Sequence, residues 1–272
     1  MYYKMFIPIN SDIPKFQCNA CGSCCSHIRG ISPKEDGDFI REYAFGKLPV
    51  VQLVPFEQMT FPLWGWEAKR FIEWGKDVGV EPNIKPLRAI YDLKSNKTII
   101  LTYFMDSKTD ACHFLKNNKC SIYHKKRAYV CRLFPFNRSP FIKTGIENIR
   151  GGMFGNCGAM EKIIPALPDD FSKMVKFLND AFPDGSFINA VQNDLVIEWS
   201  NSIIIDLIRK KTIKPAMNYQ YEFLLKRIES SEKIDFTDFL VECGCLTAEK
   251  KEGLISDFDN NIGAGEKIKQ YL

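Results

Sequence analysis

The sequence predicts an α+β fold, in which a loop-rich cysteine-cluster domain with small β-hairpins is followed by an α-helical C-terminal region. Three observations predict it. Eight of the ten cysteines lie before residue 160, two pairs of β-branched or aromatic stretches are separated by turn residues, and helical patterns follow one another after Pro168. The predicted domains are 1–165, with an insertion at about 32–110, and a helical region over 166–272 that packs on the first.

The first predicted helix runs from Pro33 to about Phe45. Ser32 is suited to cap it, Pro33 to occupy its first position, and Glu35 to complete a capping box. A second, short helix is predicted over about 124–133, because the proline at position 135 disfavours helical geometry in the residue before it.

Two hairpins are predicted in the same region. The segments LRAIYDL and KTIILTYF flank Lys94-Ser95-Asn96, and the segments CHFL and KCSIY flank Lys116-Asn117-Asn118. The second hairpin would bring Cys112 close to Cys120.

Five helices are predicted in the C-terminal region, where apolar residues recur at helical spacing. The segments are FSKMVKFLNDAF after Asp169 and Asp170, about 187–211, YQYEFLLKRIES, DFTDFLVEC and AEKKEGLISDF.

The overall composition narrows the class of protein. The chain has 272 residues, 45% of them hydrophobic, so it can bury a large core. Lys plus Arg number 37 and Asp plus Glu 33, and the net charge of +4 gives no indication of nucleic-acid binding. No signal-peptide pattern opens the sequence, and no stretch reaches the roughly 18 apolar residues of a membrane span. We therefore expect a cytoplasmic protein without membrane association, whose thiols stay reduced.

Four cysteines fall within eight residues, in the stretch CNACGSCC from Cys18 to Cys25. Two-residue gaps place three thiolates on one short loop, as in iron–sulfur ferredoxins, where a further ligand comes from elsewhere in the chain. Eight cysteines of the N-terminal domain are candidate metal ligands: Cys18, Cys21, Cys24, Cys25, Cys112, Cys120, Cys131 and Cys157.

The identity of the metal stays open between two cofactors. Eight thiolates are the number needed for two four-thiolate zinc sites, and CxxC pairs are common in zinc sites. The unequal gaps between Cys112, Cys120 and Cys131 differ from a zinc ribbon and favour a [4Fe–4S] cluster, with Zn²⁺ as the alternative. Disulfides are disfavoured by the expected compartment, and a thioredoxin-like thiol pair would lack its βαβ setting.

Arg132 is the predicted cofactor-binding residue outside the thiols. It follows Cys131, and its positive charge would offset the negative charge of a thiolate centre and raise the reduction potential. Five other residues are left outside the predicted ligand set: His27, His113, His124, Cys243 and Cys245.

These motifs together resemble the YkgJ-like cysteine-cluster family, whose zinc- or iron-chelating domain carries the pattern CxxCxxCC. CNACGSCC, CHFLKNNKCSIY, RAYVCRLFPF and the isolated Cys157 occur in the order of that family, over about 16–158. Ala128 stands where the family usually has proline, and the segment from Tyr123 to Arg127 is one residue longer. The resemblance implies that all eight N-terminal cysteines are ligand candidates.

The resemblance also implies a range of functions. Members look like iron–sulfur proteins and are often labelled oxidoreductases, so we expect a redox, electron-transfer or redox-sensing role with an unknown redox or protein partner. One alternative is a zinc-stabilised protein that binds a partner. Another is a protein-lysine N-methyltransferase, since one branch includes flagellin lysine N-methylases, and here Trp64, Trp66 and Trp74 would line a cleft or belong to a core. No GxGxxG or other nucleotide-binding loop supports the methyltransferase.

Overall fold

The computed structural model describes residues 13–29, 49–142 and 152–272. The predicted helix from Pro33 to Phe45 lies outside these residues. Within them, helices combine with a largely antiparallel sheet, and the C-terminal region is mainly helical, so the α+β prediction is confirmed. No helix in the described ranges has both the length and the apolar character needed to cross a membrane.

Helices and strands are interspersed in the first half of the chain, and helices dominate the second. The strands are β1 (Val51–Gln52), β2 (Pro62–Leu63), β3 (Ile84–Asp92), β4 (Lys97–Met105), β5 (Leu115–Lys116), β6 (Lys119–Cys120) and β7 (Glu232–Asp235). The helices are α1 (Ser23–Ser26), α2 (Gly65–Val78), α3 (Tyr129–Leu133), α4 (Phe171–Ala181), α5 (Ser186–Arg209), α6 (Tyr221–Ser230), α7 (Phe236–Glu242), α8 (Ala248–Asp259) and α9 (Ile262–Lys269).

The main sheet is built on the β3–β4 hairpin, as predicted. The strands are antiparallel, with Ile90 opposite Ile99 and Asp92 opposite Lys97. Most of their side chains are buried, which explains why both segments are nearly continuous in apolar residues rather than alternating. Strand β1 pairs with β3, and β2 pairs with one end of β4.

Strand β7 completes the sheet from the C-terminal half of the chain. It pairs in parallel with β4, and Ile99 lies opposite Ile234. The predicted regions 1–165 and 166–272 therefore share one sheet, while the division into domains stays a prediction.

Helices cover both faces of this sheet. On one face Ile90, Ile99 and Leu101 pack against α5 and α7. On the other face Val51 and Tyr91 pack against α6. The sheet is therefore a buried layer, and it anchors the loops that leave its edges.

The five predicted C-terminal helices are confirmed as α4 to α8. Asp170, Asp235 and Thr247 cap three of them, because each side chain accepts a hydrogen bond from the backbone N–H of the first turn. Helix α9 and the 14-residue helix α2 are additional to the prediction.

The three tryptophans of the insertion pack in cores. The rings of Trp64 and Trp66 are stacked, with centroids 5.6 Å apart, inside a core formed mainly by α4, α5, α8 and α9. Trp74 is partly buried against a second core, which includes Phe71 and Phe114. The sequence left two interpretations for these tryptophans, a cleft lining or a core, and the structure shows them packed in cores.

A buried carboxylate joins the start of α2 to the start of α3. Glu67 Oε2 accepts a hydrogen bond from the Trp64 backbone N–H at 3.0 Å, and Oε1 accepts one from the Tyr129 backbone N–H at 2.7 Å. Burial raises the pKa of Glu67 to about 7, although both hydrogen bonds act in the opposite direction. One side chain therefore satisfies the free N–H groups of two helices.

Replacing Glu67 with Gln is expected to lower the free energy of unfolding by about 1–3 kcal/mol, because an amide NH₂ cannot accept the second backbone hydrogen bond. The pKa of Glu67 is higher in the folded chain than in the unfolded chain. Its contribution to stability is therefore largest at pH values below the unfolded pKa and is lost as the pH rises through about 7. The advantage of the wild type over E67Q should therefore be larger at pH 5 than at pH 8. Denaturant unfolding of both proteins at the two pH values measures it, and a constant or growing advantage would contradict the assignment.

Candidate metal centre

The CNACGSCC segment is held at its start by an aromatic anchor. Phe16 is buried beside Phe182, with ring centroids 5.2 Å apart, and its backbone N–H donates to the Ala181 carbonyl at 2.7 Å. The segment therefore leaves the helical core at a fixed point two residues before Cys18.

Gly22 sets the turn on which the clustered cysteines lie. It has a φ of 76° and precedes the single turn α1, where the N–H groups of Cys25 and Ser26 both donate to its carbonyl at 2.9 Å. A Cβ at this position would lie 2.9 Å from the carbonyl oxygen of Asn118 in the β5–β6 turn. Only glycine combines this φ with so close an approach, so the motif rests directly on the hairpin.

Backbone hydrogen bonds fasten the end of the motif to the segment that carries Cys112. The Cys112 N–H donates to the Cys25 carbonyl at 2.8 Å, and the Ile28 N–H donates to the Asp110 carbonyl at 2.9 Å. The Asp110 carboxylate accepts the Arg29 N–H at 2.9 Å and contacts His27 Nδ1 at 3.1 Å. Cys25 and Cys112 are therefore neighbours although 87 positions separate them in the sequence.

The predicted second hairpin is confirmed as β5–β6. Leu115 pairs with Cys120, and the connecting Asn117 and Asn118 both have positive φ, as in a two-residue type I′ turn. The hairpin brings Cys120 back to Cys112, as the sequence indicated, and both pack against the core beneath α2.

Helix α3 carries Cys131 and is shorter than predicted. Hydrogen-bonded turns occupy the segment from Tyr123 to Arg127, and the helix begins at Tyr129 because Ala128 is extended, with φ −59° and ψ 159°. It ends before Pro135 as predicted. The φ of Ala128 is the value that proline imposes, so the alanine keeps the conformation of the family's usual proline.

Cys157 comes from a different part of the structure. It precedes a 3₁₀ turn, Gly158–Met160, and packs against the core that also holds Phe16. The start of the CNACGSCC segment and Cys157 are thus supported by the same core.

Electrostatic interactions arrange the eight thiols in two groups that meet at Cys24, whose charge acts on both Cys112 and Cys157. In the inner group, burial raises the pKa of Cys131, and the charges of Cys112 and Cys120 act in the same direction. Burial also raises the pKa of Cys112 to about 11, with added effects from Cys120 and Cys24. Cys25 interacts with Cys131 and Cys112. The inner group consists of Cys25, Cys112, Cys120 and Cys131.

The outer group combines the three regularly spaced cysteines with the distant one. Burial raises the pKa of Cys157, and the charges of Cys21, Cys18 and Cys24 add to the effect. The outer group therefore consists of Cys18, Cys21, Cys24 and Cys157, and the first three are exposed.

The two groups adjoin at Cys24 and Cys25. Their Sγ atoms are 4.0 Å apart, and the hydrogen bond between them lowers the pKa of Cys24 to about 6 while raising that of Cys25. The charge of Arg127 also favours the Cys24 thiolate. The pair is thus suited to present the Cys24 thiolate towards the exposed group, beside the half-buried thiol of Cys25.

The donor set fits a thiolate-bound metal in its chemistry. All eight sulfurs are free thiols, and a cation offsets both the burial and the mutual repulsion that raise the pKa values of Cys25, Cys112, Cys131 and Cys157. Across 13–29, 49–142 and 152–272, no three Cys, His, Asp or Glu side chains stand as a ready-made site for a metal ion. Binding therefore requires the thiols, above all the exposed ones of the outer group, to rotate towards a common centre.

The two arginines near Cys131 face different surroundings. Arg127 lies over the ring of Tyr123, 4.2 Å from its centroid, and its charge favours the thiolates of Cys24 and Cys131. Arg132 lies over the ring of Tyr129 at 4.5 Å. The predicted tuning role of Arg132 stays a prediction, and the charge of Arg127 acts on two of the thiols.

Several neighbours of the site were less visible in the sequence. Glu67, which holds the first residue of α3, has no Ser, Thr, Asp or Asn three positions before it to mark it as a capping residue. Asp110 fixes the residues that follow the CNACGSCC motif by accepting a hydrogen bond from the Arg29 backbone N–H, a contact that no spacing in the sequence predicts. Of the histidines, His27 contacts Asp110 and His113 contacts the Glu81 carbonyl at 2.9 Å.

One protein-family model matches this region. Residues 76–150 match the CxxCxxCC family, described as "Putative zinc- or iron-chelating domain". Residues 76–150 are thus similar to the metal-chelating domain of the cysteine-cluster family. The resemblance stated from the motifs is confirmed over this segment, which contains Cys112, Cys120 and Cys131, and the family's description supports metal binding. No curated protein and no solved structure matches the chain.

Gly22→Ala is expected to destabilise the site by roughly 1–3 kcal/mol, because alanine is strained at a positive φ and its Cβ would press on Asn118. The bound metal per chain should fall with it. Gly158→Ala is the matched control, since it also flanks a predicted ligand but its Cβ would meet no atom within 4 Å. Denaturant unfolding and metal analysis of both variants measure the effect, and equal behaviour would refute the proposed contact.

Proposed function

We propose that this protein is an iron–sulfur protein with a redox, electron-transfer or redox-sensing role. The observation that carries the proposal is the outer group, in which the C-x-x-C-x-x-C run and one distant cysteine interact electrostatically. Three thiolates at two-residue gaps plus one remote thiolate is a ligand pattern typical of [4Fe–4S] clusters. Cys18, Cys21, Cys24 and Cys157 would hold the cluster, which would supply a one-electron redox couple.

The inner group would hold a second metal or support the first. Its thiols are more buried, and they pack on the core that includes Phe114 and Ile122. A closed site of four thiolates with no open position is typical of structural zinc. A metal there would tie α1, the β5–β6 hairpin and α3 together.

The zinc-only alternative has one observation in its favour. In a tetrahedral site with Zn–S bonds of about 2.3 Å, neighbouring sulfurs lie about 3.8 Å apart. The Sγ atoms of Cys24 and Cys25 are 4.0 Å apart, which suits two ligands of one zinc ion. In that case the metal would stabilise the loops, and the helical region would bind a protein partner.

Metal analysis of three variants tests the proposal. Protein purified without oxygen should contain iron and inorganic sulfide and should absorb broadly in the visible range. Cys157→Ser should remove the iron and leave the inner metal, whereas Cys131→Ser should remove the inner metal. Cys245→Ser, outside both groups, is the matched control and should lose neither. Colourless protein that holds only zinc would refute the iron–sulfur proposal and favour the zinc alternative.

Arg127 is expected to raise the reduction potential of the centre, because its positive charge stabilises the more negative, reduced state. Arg127→Gln should therefore shift the potential to more negative values. Lys125→Gln removes a charge from the same segment, but Lys125 pairs with Asp77, so that variant should behave like the wild type. Spectroscopic redox titration measures all three. A shift in Arg132→Gln but not in Arg127→Gln would contradict this assignment and favour the sequence prediction.

A further inference from the structure

A second sulfur site lies outside the candidate metal centre, in the turn between α7 and α8. Cys243 ends α7, Gly244 follows with a φ of 74°, and Cys245 is exposed. The two Sγ atoms are 3.3 Å apart, and the Cys243 thiol also lies 3.6 Å from the Leu240 carbonyl. The sulfurs are therefore already closer than the atoms of most non-bonded side-chain pairs.

Backbone hydrogen bonds hold this turn from both sides. The N–H of Cys243 donates to the Phe239 carbonyl at 2.9 Å, and the N–H of Leu246 reaches back to the Leu240 carbonyl at the same distance. Leu246 and Cys243 both pack against the core that covers one face of the sheet. The facing thiols are thus a property of a fixed helix-to-helix connection.

The pair is chemically suited to thiol exchange. In the part of the chain that the structure describes, no group of three potential ligands is available to make this pair a metal site. The exposed Cys245 is accessible to a reagent, while the half-buried Cys243 is screened and lies within reach of Cys245. One accessible attacking thiol and one adjacent resolving thiol are the requirements for disulfide exchange.

We propose that Cys243 and Cys245 form a thiol–disulfide exchange site that takes low-molecular-weight disulfides such as glutathione disulfide. The Cys245 thiolate attacks one sulfur of the substrate, the substrate S–S bond breaks, and one glutathione thiolate leaves. Cys243 then attacks the Cys245 sulfur and expels the second glutathione. The protein loses two electrons and two protons and gains one S–S bond, while the substrate becomes two thiols. The site is independent of the proposed metal centre.

Closure needs a small movement, and the product should be labile. A disulfide bond is about 2.05 Å long, so the sulfurs must approach by about 1.2 Å. A ring closed across a single residue is strained, and strained, exposed disulfides are the readily reduced ones. The positive φ of Gly244 is the conformational feature that holds the two side chains on the same side of the turn.

The test uses one tryptic peptide. Cleavage after Lys233 and Lys250 releases residues 234–250, whose only two cysteines are Cys243 and Cys245. Metal-loaded protein is equilibrated without oxygen in glutathione buffers of increasing disulfide content, alkylated, digested without reductant and weighed by mass spectrometry. The peptide should change from doubly alkylated to unmodified and lighter by two hydrogens.

Three comparisons separate a built site from the mere proximity of two cysteines in sequence. The folded protein should reach half oxidation at a disulfide content roughly tenfold lower than the chain in guanidinium, because the turn is already formed. Gly244→Ala should weaken closure by about fivefold or more, since alanine at a positive φ costs about 1–2 kcal/mol. Gly265→Ala, whose Cβ would lie in open space, is the matched control and should leave closure unchanged. Cys245→Ser should give no peptide lighter by two hydrogens.

Three results would overturn the proposal. In the first, the wild-type peptide stays doubly alkylated across the whole series. In the second, it carries glutathione on both cysteines in place of an internal bond. In the third, the folded and denatured chains oxidise at the same disulfide content, which would show that the fold contributes nothing.

Discussion

The hydrogen bonds of the Glu67 carboxylate connect the cysteine region to the rest of the protein. They tie the N–H of Trp64 at the start of α2 to the N–H of Tyr129 at the start of α3, two residues before Cys131. The Tyr129 hydroxyl in turn donates to the Phe258 carbonyl in α8. A short helix of five residues has little stability of its own, so its orientation depends on these contacts. Through them the position of Cys131 is set by elements from both halves of the chain.

Bringing eight thiols together has an electrostatic cost, because their negative charges repel one another. The fold lowers this cost by burying some of the thiols and leaving others exposed. The inner thiols lie on an apolar core, where burial opposes ionisation, and they are joined by backbone hydrogen bonds that do not depend on charge. The outer thiols are in contact with water, where the thiolate form is less costly, and Cys24 gains further support from Cys25 and Arg127. Rigid backbone and adjustable side chains are a suitable combination for a site whose thiols turn towards a cation as it binds.

Local signals in the sequence were sufficient for the parts of the fold that local interactions determine. Both hairpins follow from β-branched segments around turn residues, and the C-terminal helices follow from apolar periodicity and caps. Helix α2 was missed because Trp64 occupies its N-cap position and the cap is supplied by Glu67. Strand β7 was missed because Glu232–Asp235 is short and polar, and it is a strand only through its pairing with β4.

The same distinction applies to the candidate site. Spacing alone was sufficient to name eight cysteines, but their grouping depends on Cys157 approaching from another core, which no spacing encodes. Which arginine lies nearer to the thiols depends on the direction in which each side chain points near α3. The guanidinium groups of Arg127 and Arg132 stack on different tyrosines.

The parallel pairing of β7 with β4 constrains the order of events during synthesis. Strand β4 is synthesised well before β7, and Ile234, the partner of Ile99, follows 135 positions later in the chain. Until then the edge of β4 from Lys97 to Ile100 lacks its partner strand, and such edges favour pairing with other chains. Contacts between distant parts of a chain also form slowly. The nascent protein therefore carries the CNACGSCC thiols beside an unfinished sheet until β7 has been made. Its resistance to aggregation during synthesis depends on how soon β7 follows, as well as on the stability of the finished fold.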